Sequence, residues 1–140
     1  MRSDTMIIDF TALRIPNEAY IVGAMMDYFH IDEEGNRSYP PCKVASLYID
    51  DTEVNSTTKC IKYILKCLVM EVPEGVTQVV FRSNLPHCMR SRDYRKEVDG
   101  LIDADIRVKY VHRLGNKLTQ LQLLANDALT RKSSVIGVVS

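Results

Sequence analysis

The run from Thr5 to Arg14, TMIIDFTALR, carries apolar side chains on both alternations of an extended chain: Met6, Ile8 and Phe10 on one, Ile7 and Leu13 on the other. A strand with two apolar faces belongs in the middle of a sheet, with layers packed on both sides of it. One carboxylate, Asp9, interrupts the run. Burying a lone carboxylate costs several kcal/mol unless a cation or hydrogen-bond donors meet it. Either such a partner reaches Asp9, or the residue lies at a frayed strand end and caps a turn.

With 140 residues, 46% hydrophobic and 26% charged, the chain has enough apolar material for one core and shows no internal repeat. The expected division is a single domain over residues 1–132 followed by a tail, 133–140. No apolar run approaches the roughly 20 residues that a bilayer span requires, and MRSDTM has neither an apolar signal core nor a cleavage site, so a soluble, cytoplasmic protein is expected. Cys42, Cys60, Cys67 and Cys88 lack CxxC spacing and paired histidines, which favours reduced core residues over metal ligands. Net charge is zero, yet residues 1–81 hold 7 Lys and Arg against 12 Asp and Glu, and residues 82–140 hold 11 against 6. Halves of −5 and +5 mark either a nucleic-acid face or an internal attraction between the two parts of one domain.

After the first strand, Pro16-Asn17 signals a turn, and Ala19 to Ile31 reads as a long aromatic and β-branched strand. Asp32 to Asn36 supplies a charged hairpin tip, with Gly35 available for positive φ. Lys43 to Ile49 then completes an antiparallel meander of three. Asn55, Ser56 and Thr57 are candidate caps for a helix whose Ile61, Ile64, Leu65 and Leu68 form one stripe. Thr77 to Phe81 is a short fourth strand, delivered parallel to the first by the crossover helix. A helix with Tyr94, Val98, Leu101 and Ile102 on its apolar side follows, then a fifth strand, Ile106 to Val111. The last helix, Lys117 to about Lys132, turns Leu118, Leu121, Leu124, Ala125, Ala128 and Leu129 inward. The apolar tail is left with three outcomes: frayed, paired with the sheet, or added to the edge of another subunit.

This order, βββαβαβα, resembles the ribonuclease H-like fold, and four places in the sequence carry the resemblance. Asp9-Phe10-Thr11 falls where the family has Asp-Gly-Ser on its first strand. Asn55-Ser56, then Thr58-Lys59, is similar to the asparagine-rich cap and Ala-Glu of the retroelement and plant-type branch. Arg82-Ser83-Asn84 stands where the fourth strand ends in Asp-Ser. Val108 to Gln120, VKYVHRLGNKLTQ, is similar to the closing segment, a strand, then Arg, then Asn, then Ala-Asp on the last helix. The resemblance implies an α/β fold: a five-stranded mixed sheet, three antiparallel strands and then parallel crossovers, flanked by about three helices.

In that family four carboxylates hold two Mg²⁺ ions that activate water and stabilise the leaving oxygen as a phosphodiester is cut. The matching positions here are Asp9, Lys59, Ser83 and Gln120, whose charges sum to zero. Asp127 is no substitute, since seven residues of helix displace it about 10.5 Å from Gln120 while cooperating metals sit only about 4 Å apart. Asp50 and Asp51 suit the start of the first helix better. The expected arrangement is a salt bridge from Asp9 to Lys59, an internal cation in place of the metals. His112 matches the mobile histidine of active members but is followed at once by Arg113; it reads as a surface residue, as do His87 and His30. Ser83 has no base within sequence reach for nucleophilic work.

The reading that follows is a catalytically inactive ribonuclease H-like domain, with no cofactor, that binds a protein partner, another copy of itself, or nucleic acid, RNA or an RNA–DNA hybrid. Arg82, Arg90, Arg92, Arg95, Lys96, Arg113 and Lys117 are the candidate phosphate contacts. The competing reading is an active Mg²⁺-dependent ribonuclease in which Asp9 ligates metal beside a non-standard ligand set. Compact length fits a viral or mobile-element protein.

Overall fold

A computed structural model describes residues 3–38, 42–50, 57–73, 75–85, 100, 105–111 and 114–138. The described elements are strands β1 (Ser3–Ile15), β2 (Ala19–Ile31), β3 (Arg37–Ser38), β4 (Lys43–Asp50), β5 (Gln78–Ser83), β6 (Arg107–Val111) and β7 (Val135–Val138), with helices α1 (Thr57–Val69) and α2 (Leu118–Arg131). A single 3₁₀ turn, Gly115–Lys117, leads into α2.

The strands form one sheet in the order β6-β5-β1-β2-β4-β7, with β3 paired to β2. β1 lies inside the sheet, antiparallel to β2 and parallel to β5. The meander and both parallel pairings agree with the sequence reading. The turn between β1 and β2 puts Asn17 at φ 61°, a left-handed conformation that asparagine tolerates, and Glu18 N–H donates to the Ile15 carbonyl. Gly35 takes φ 86° at the second tip, where Asp32 Oδ1 accepts from the amides of Glu34 and Asn36.

The first strand serves two layers because its alternations differ in what they face. Met6, Ile8 and Phe10 join Tyr20, Val22, Ala24 and Met26 of β2, and Cys60, Ile64, Leu65 and Leu68 of α1, in one buried cluster. α2 packs on the other face through Leu121, Ala125 and Ala128, against β2, β4 and β1. It comes so near β2 that a Cβ on Gly23 would stand 1.9 Å from the Leu121 carbonyl oxygen. Ser46 Oγ donates to the Leu124 carbonyl at 2.5 Å, and Arg131 Nη2 donates to Ser46 Oγ at 3.0 Å.

The structure adds two strands to the expected five. β3 has only two residues, too few for any pattern to show. β7, from the tail, pairs antiparallel with β4, Val135 opposite Ser46 and Val138 opposite Lys43. The expected caps Asn55 and Ser56, Asp51, and the arginine-rich helix through Ile102 lie outside the described residues, and so does the inward placement of the Ile61 side chain.

Candidate functional site

Asp9 is fully buried and sits within β1, not at a frayed end. The parallel register puts it opposite Arg82 of β5. Arg82 grips the carboxylate in a fork, Nε donating to Oδ1 at 2.5 Å and Nη2 to Oδ2 at 2.8 Å. Such paired, charge-assisted bonds are the strong kind. Lys117, the last residue of the 3₁₀ turn, adds Nζ at 3.0 Å from Asp9 Oδ2 and at 2.6 Å from Asp27 Oδ2. Asp27 belongs to the same face because it stands opposite Ile7, two residues before Asp9. Two carboxylates and two cations thus close into one neutral cluster beneath the start of α2.

The electrostatics follow from this geometry. Burial opposes ionisation of Asp27, but the hydrogen bond and charge of Lys117 outweigh it and hold the carboxyl below its ordinary range. Burial likewise opposes charge on Lys117, yet its bonds to Asp27 and Asp9 raise its pKa. The hydrogen bonds to Asp9 raise that of Arg82 against a smaller cost of burial. Burial first, then a hydrogen bond to Asp27, pushes the Cys42 thiol up to about 11. One step along, Thr11 Oγ1 donates to Asn84 Oδ1 at 2.7 Å and extends the polar patch toward the ends of β1 and β5.

The expected pairing of Asp9 with Lys59 is corrected. Lys59 is exposed in the first turn of α1, one position off the buried stripe that begins at Cys60, and the cations on Asp9 are Arg82 and Lys117. Register decides this: a neighbour across a parallel ladder is already beside the carboxylate, and the 3₁₀ turn delivers the second cation from the other layer. Ser83 is buried, but it stands opposite Phe10 and so belongs to the α1 face, away from Asp9; its Oγ accepts from Leu85 N–H at 3.2 Å. Gln120 is exposed on α2, and Asp127 and Asp50 are also exposed. Of the candidate phosphate contacts, Arg82 and Lys117 are turned to the buried cluster, and Arg90, Arg92, Arg95, Lys96 and Arg113 lie outside the described residues, as do His87 and His112. His30 is partly buried and bonds the buried Asp4, which also accepts from Tyr28 Oη at 3.0 Å.

Asp27 was missed in the sequence, although the Pro16-Asn17 turn carried the signal. A tight hairpin there sets Met25 opposite Asp9 and places Asp27 on the same face.

The donor set does not fit a pair of Mg²⁺ ions. Both oxygens of Asp9 are occupied by nitrogen donors, and at an effective dielectric of about 20 each cation within about 4 Å of a divalent ion opposes it by about 8 kcal/mol, twice the value for unit charges. Among the described residues, no three His, Cys, Asp or Glu side chains come together as metal ligands.

No family model and no curated protein matches the sequence. Solved structures do. LC9-RNase H1, a type 1 ribonuclease H with the type 2 active-site motif, superposes with a TM-score of 0.52 at 10% identity, over 98% of this chain and 77% of that one. LC11-RNase H1 in complex with an RNA/DNA hybrid gives 0.48 at 16% identity, over 91% and 98%. The PFV ribonuclease H domain gives 0.40 at 11%, over 94% of each. On the antiparallel meander, the parallel strands β5 and β6 that follow on the other side of β1, and the first of these superpositions, the chain has the fold of the ribonuclease H-like superfamily.

Proposed function

We propose that this chain is a catalytically inactive ribonuclease H-like protein that acts by binding, and that its partner is a protein. One observation carries the reading: the carboxylate at the family's first metal-ligand position is held by Arg82 and Lys117. A cluster already neutralised from within lacks the negative potential that gathers divalent ions, and both oxygens of its buried carboxylate, Asp9, are taken by nitrogen donors. The choice of a protein rests on charge. Two of the seven candidate phosphate contacts are committed to carboxylates, and zero net charge gives little long-range attraction for a polyanion.

The test joins thermal melting with a cleavage assay on an RNA–DNA hybrid. The melting temperature is expected to stay unchanged as Mg²⁺ or Mn²⁺ is raised to millimolar levels, with no hybrid cut. Stabilisation by the metal together with cleavage that Asp9→Asn abolishes would overturn the reading in favour of the metal-dependent nuclease. Retention of hybrid, duplex or single strands at about 50 mM salt, with log affinity falling against log salt at a slope of about −3 to −4, would replace the protein partner by nucleic acid bound through about four phosphates.

A further inference from the structure

The two faces of the sheet are covered unequally. On the side that carries Met6, Ile8 and Phe10, the cluster under α1 reaches β5 and β6 through Val79, Phe81, Val108 and Tyr110. On the opposite side α2 packs on β2, β4 and β1, and no helix among the described residues lies over β5 and β6. Exposure follows the same division: Val79 and Phe81 are fully buried, Gln78 and Val80 on the other alternation of β5 are half-buried, and Arg107, Lys109 and Val111 of β6 are exposed, Val111 by 37%. Parallel strands are ordinarily covered on both faces, because the crossovers that join them lay helices there. The registers show what the uncovered half offers. Ile7, Val80 and Lys109 stand side by side in one row across β1, β5 and β6, and Gln78 stands beside Arg107 in the next. Ile7, Val80 and Val111 thus form an apolar floor, bordered on the outer strand by Arg107 and Lys109. Neither of these cations has an ion pair or a side-chain hydrogen bond among the described residues, whereas Arg82 and Lys117 are held by Asp9 and Asp27.

We propose that this half-face over β5 and β6 is where the protein partner docks, and that the docking segment is an amphipathic helix with carboxylates along one flank of its apolar stripe. The inference rests on the protein-binding reading above and gives that partner a chemistry. Two strands span about 10 Å, the width of one helix, and Gln78 to Arg82 runs about 13 Å, or about two and a half helical turns. A helix lying beside α2 would supply the layer that a parallel sheet otherwise has on this side. The charges select its sign. Glu or Asp side chains on the outer flank meet Arg107 and Lys109, which have no carboxylate of their own among the described residues, and a basic helix would be repelled by them. A nucleic-acid backbone suits the surface less well, since its phosphates would find two free cations and the rest of it would lie on isoleucine and valine. A footprint this short makes a weak contact, below the roughly 1,200 Å² at which standard stable interfaces begin.

The experiment titrates the isotope-labelled full chain with two stapled helical peptides, one with leucines on a single stripe flanked by glutamates and one with lysines in place of the glutamates. The glutamate peptide is expected to shift the amide signals of Val80, Arg107, Lys109 and Val111 and to saturate below about 1 mM, and the lysine peptide to leave them in place. Arg107→Glu combined with Lys109→Glu, checked for folding by circular dichroism, should weaken the glutamate peptide by at least about tenfold and bind the lysine peptide instead. Lys109→Gln is the milder variant if the double one unfolds, and should weaken the glutamate peptide by about threefold. Binding of neither peptide, equal binding of both, shifts confined to other residues, or variants that bind as before would each overturn the proposal. Retention of an RNA–DNA hybrid at about 50 mM salt that the double variant abolishes would assign the face to nucleic acid and overturn the protein-binding reading with it. Failure of the peptides with no nucleic acid retained would sink this surface and leave that reading standing.

Discussion

Removing Arg82 tests the central cluster most directly. Arg82→Ala deletes two charge-assisted hydrogen bonds to Asp9, each worth about 1.5–3 kcal/mol in general, and leaves a fully buried carboxylate with Lys117 as its remaining cation. The guanidinium side is 32% exposed, so solvent screening discounts the sum. Lys117 retains part of the compensation, which places the expected loss at about 2–4 kcal/mol, below the roughly 3–5 of an entirely orphaned buried charge. For a chain of this size that corresponds to a fall in melting temperature of about 5–15 °C. Asp9→Ala should cost less, because the cations it frees are each about a third exposed and can turn to water. Urea denaturation of both single variants and the double variant gives the coupling, expected at about 2 kcal/mol. Lys59→Ala is the control and should stay within about 0.5 kcal/mol, as exposed positions do. A coupling under about 0.5 kcal/mol, or a Lys59 effect larger than that of Arg82, would refute the assignment of the cations.

Gly23→Ala sets a Cβ against backbone atoms that cannot rotate away, the Leu121 oxygen at 1.9 Å and its carbonyl carbon at 2.8 Å, so α2 must lift from the sheet; a loss of about 3 kcal/mol in urea denaturation is expected, and a neutral effect would contradict the close approach. Stability should form a plateau in pH. The part supplied by Asp27, whose folded pKa lies below its ordinary 3.8, is complete above 3.8 and lost as pH falls through the lower folded value. The part supplied by Lys117, whose folded pKa lies above its ordinary 10.5, is complete below 10.5 and lost as pH rises through the higher folded value. Lys117→Met should flatten the alkaline limb in denaturation measured across pH, and an unchanged limb would count against the arrangement.

Where side-chain pattern alone specifies an element, the sequence was legible. β2 falls on Ala19–Ile31 as read, and the stripes of both helices bury Ile64, Leu65, Leu68, Leu121, Ala125 and Ala128. The presence of Asp9 in an apolar strand likewise announced a buried charge in need of cations. Their identity depended on something else, the registers that bring Arg82 and Asp27 beside it and the packing depth at Gly23 that brings Lys117 down. Lys59 occupies a ligand's place in the family's order of motifs, but order along a chain does not fix which side chains share a sheet face, and Lys59 is exposed on α1. The tail was ambiguous for a plainer reason. Four uncharged β-prone residues suit a frayed end, an inner edge and an outer edge equally well.

The ion pairs also bear on how the protein comes to be folded as it is made. Asp9, Glu18 and Asp27 are in the acidic first part of the chain, and the cations that meet them, Arg82, Lys117 and Lys132, are all in the basic second part. During synthesis the acceptors therefore leave the ribosome long before any of these donors. The β1–β2 hairpin can form early from its own turn, but β1 cannot be enclosed on its α2 face while Asp9 lacks its cations, and one of them, Lys117, arrives only with the last helix. The nascent chain must keep its middle strand wet on that side until most of the sequence has been made. A domain whose central strand precedes its own cations in the sequence is, by this charge arrangement, closed late, from the C-terminal side of that strand.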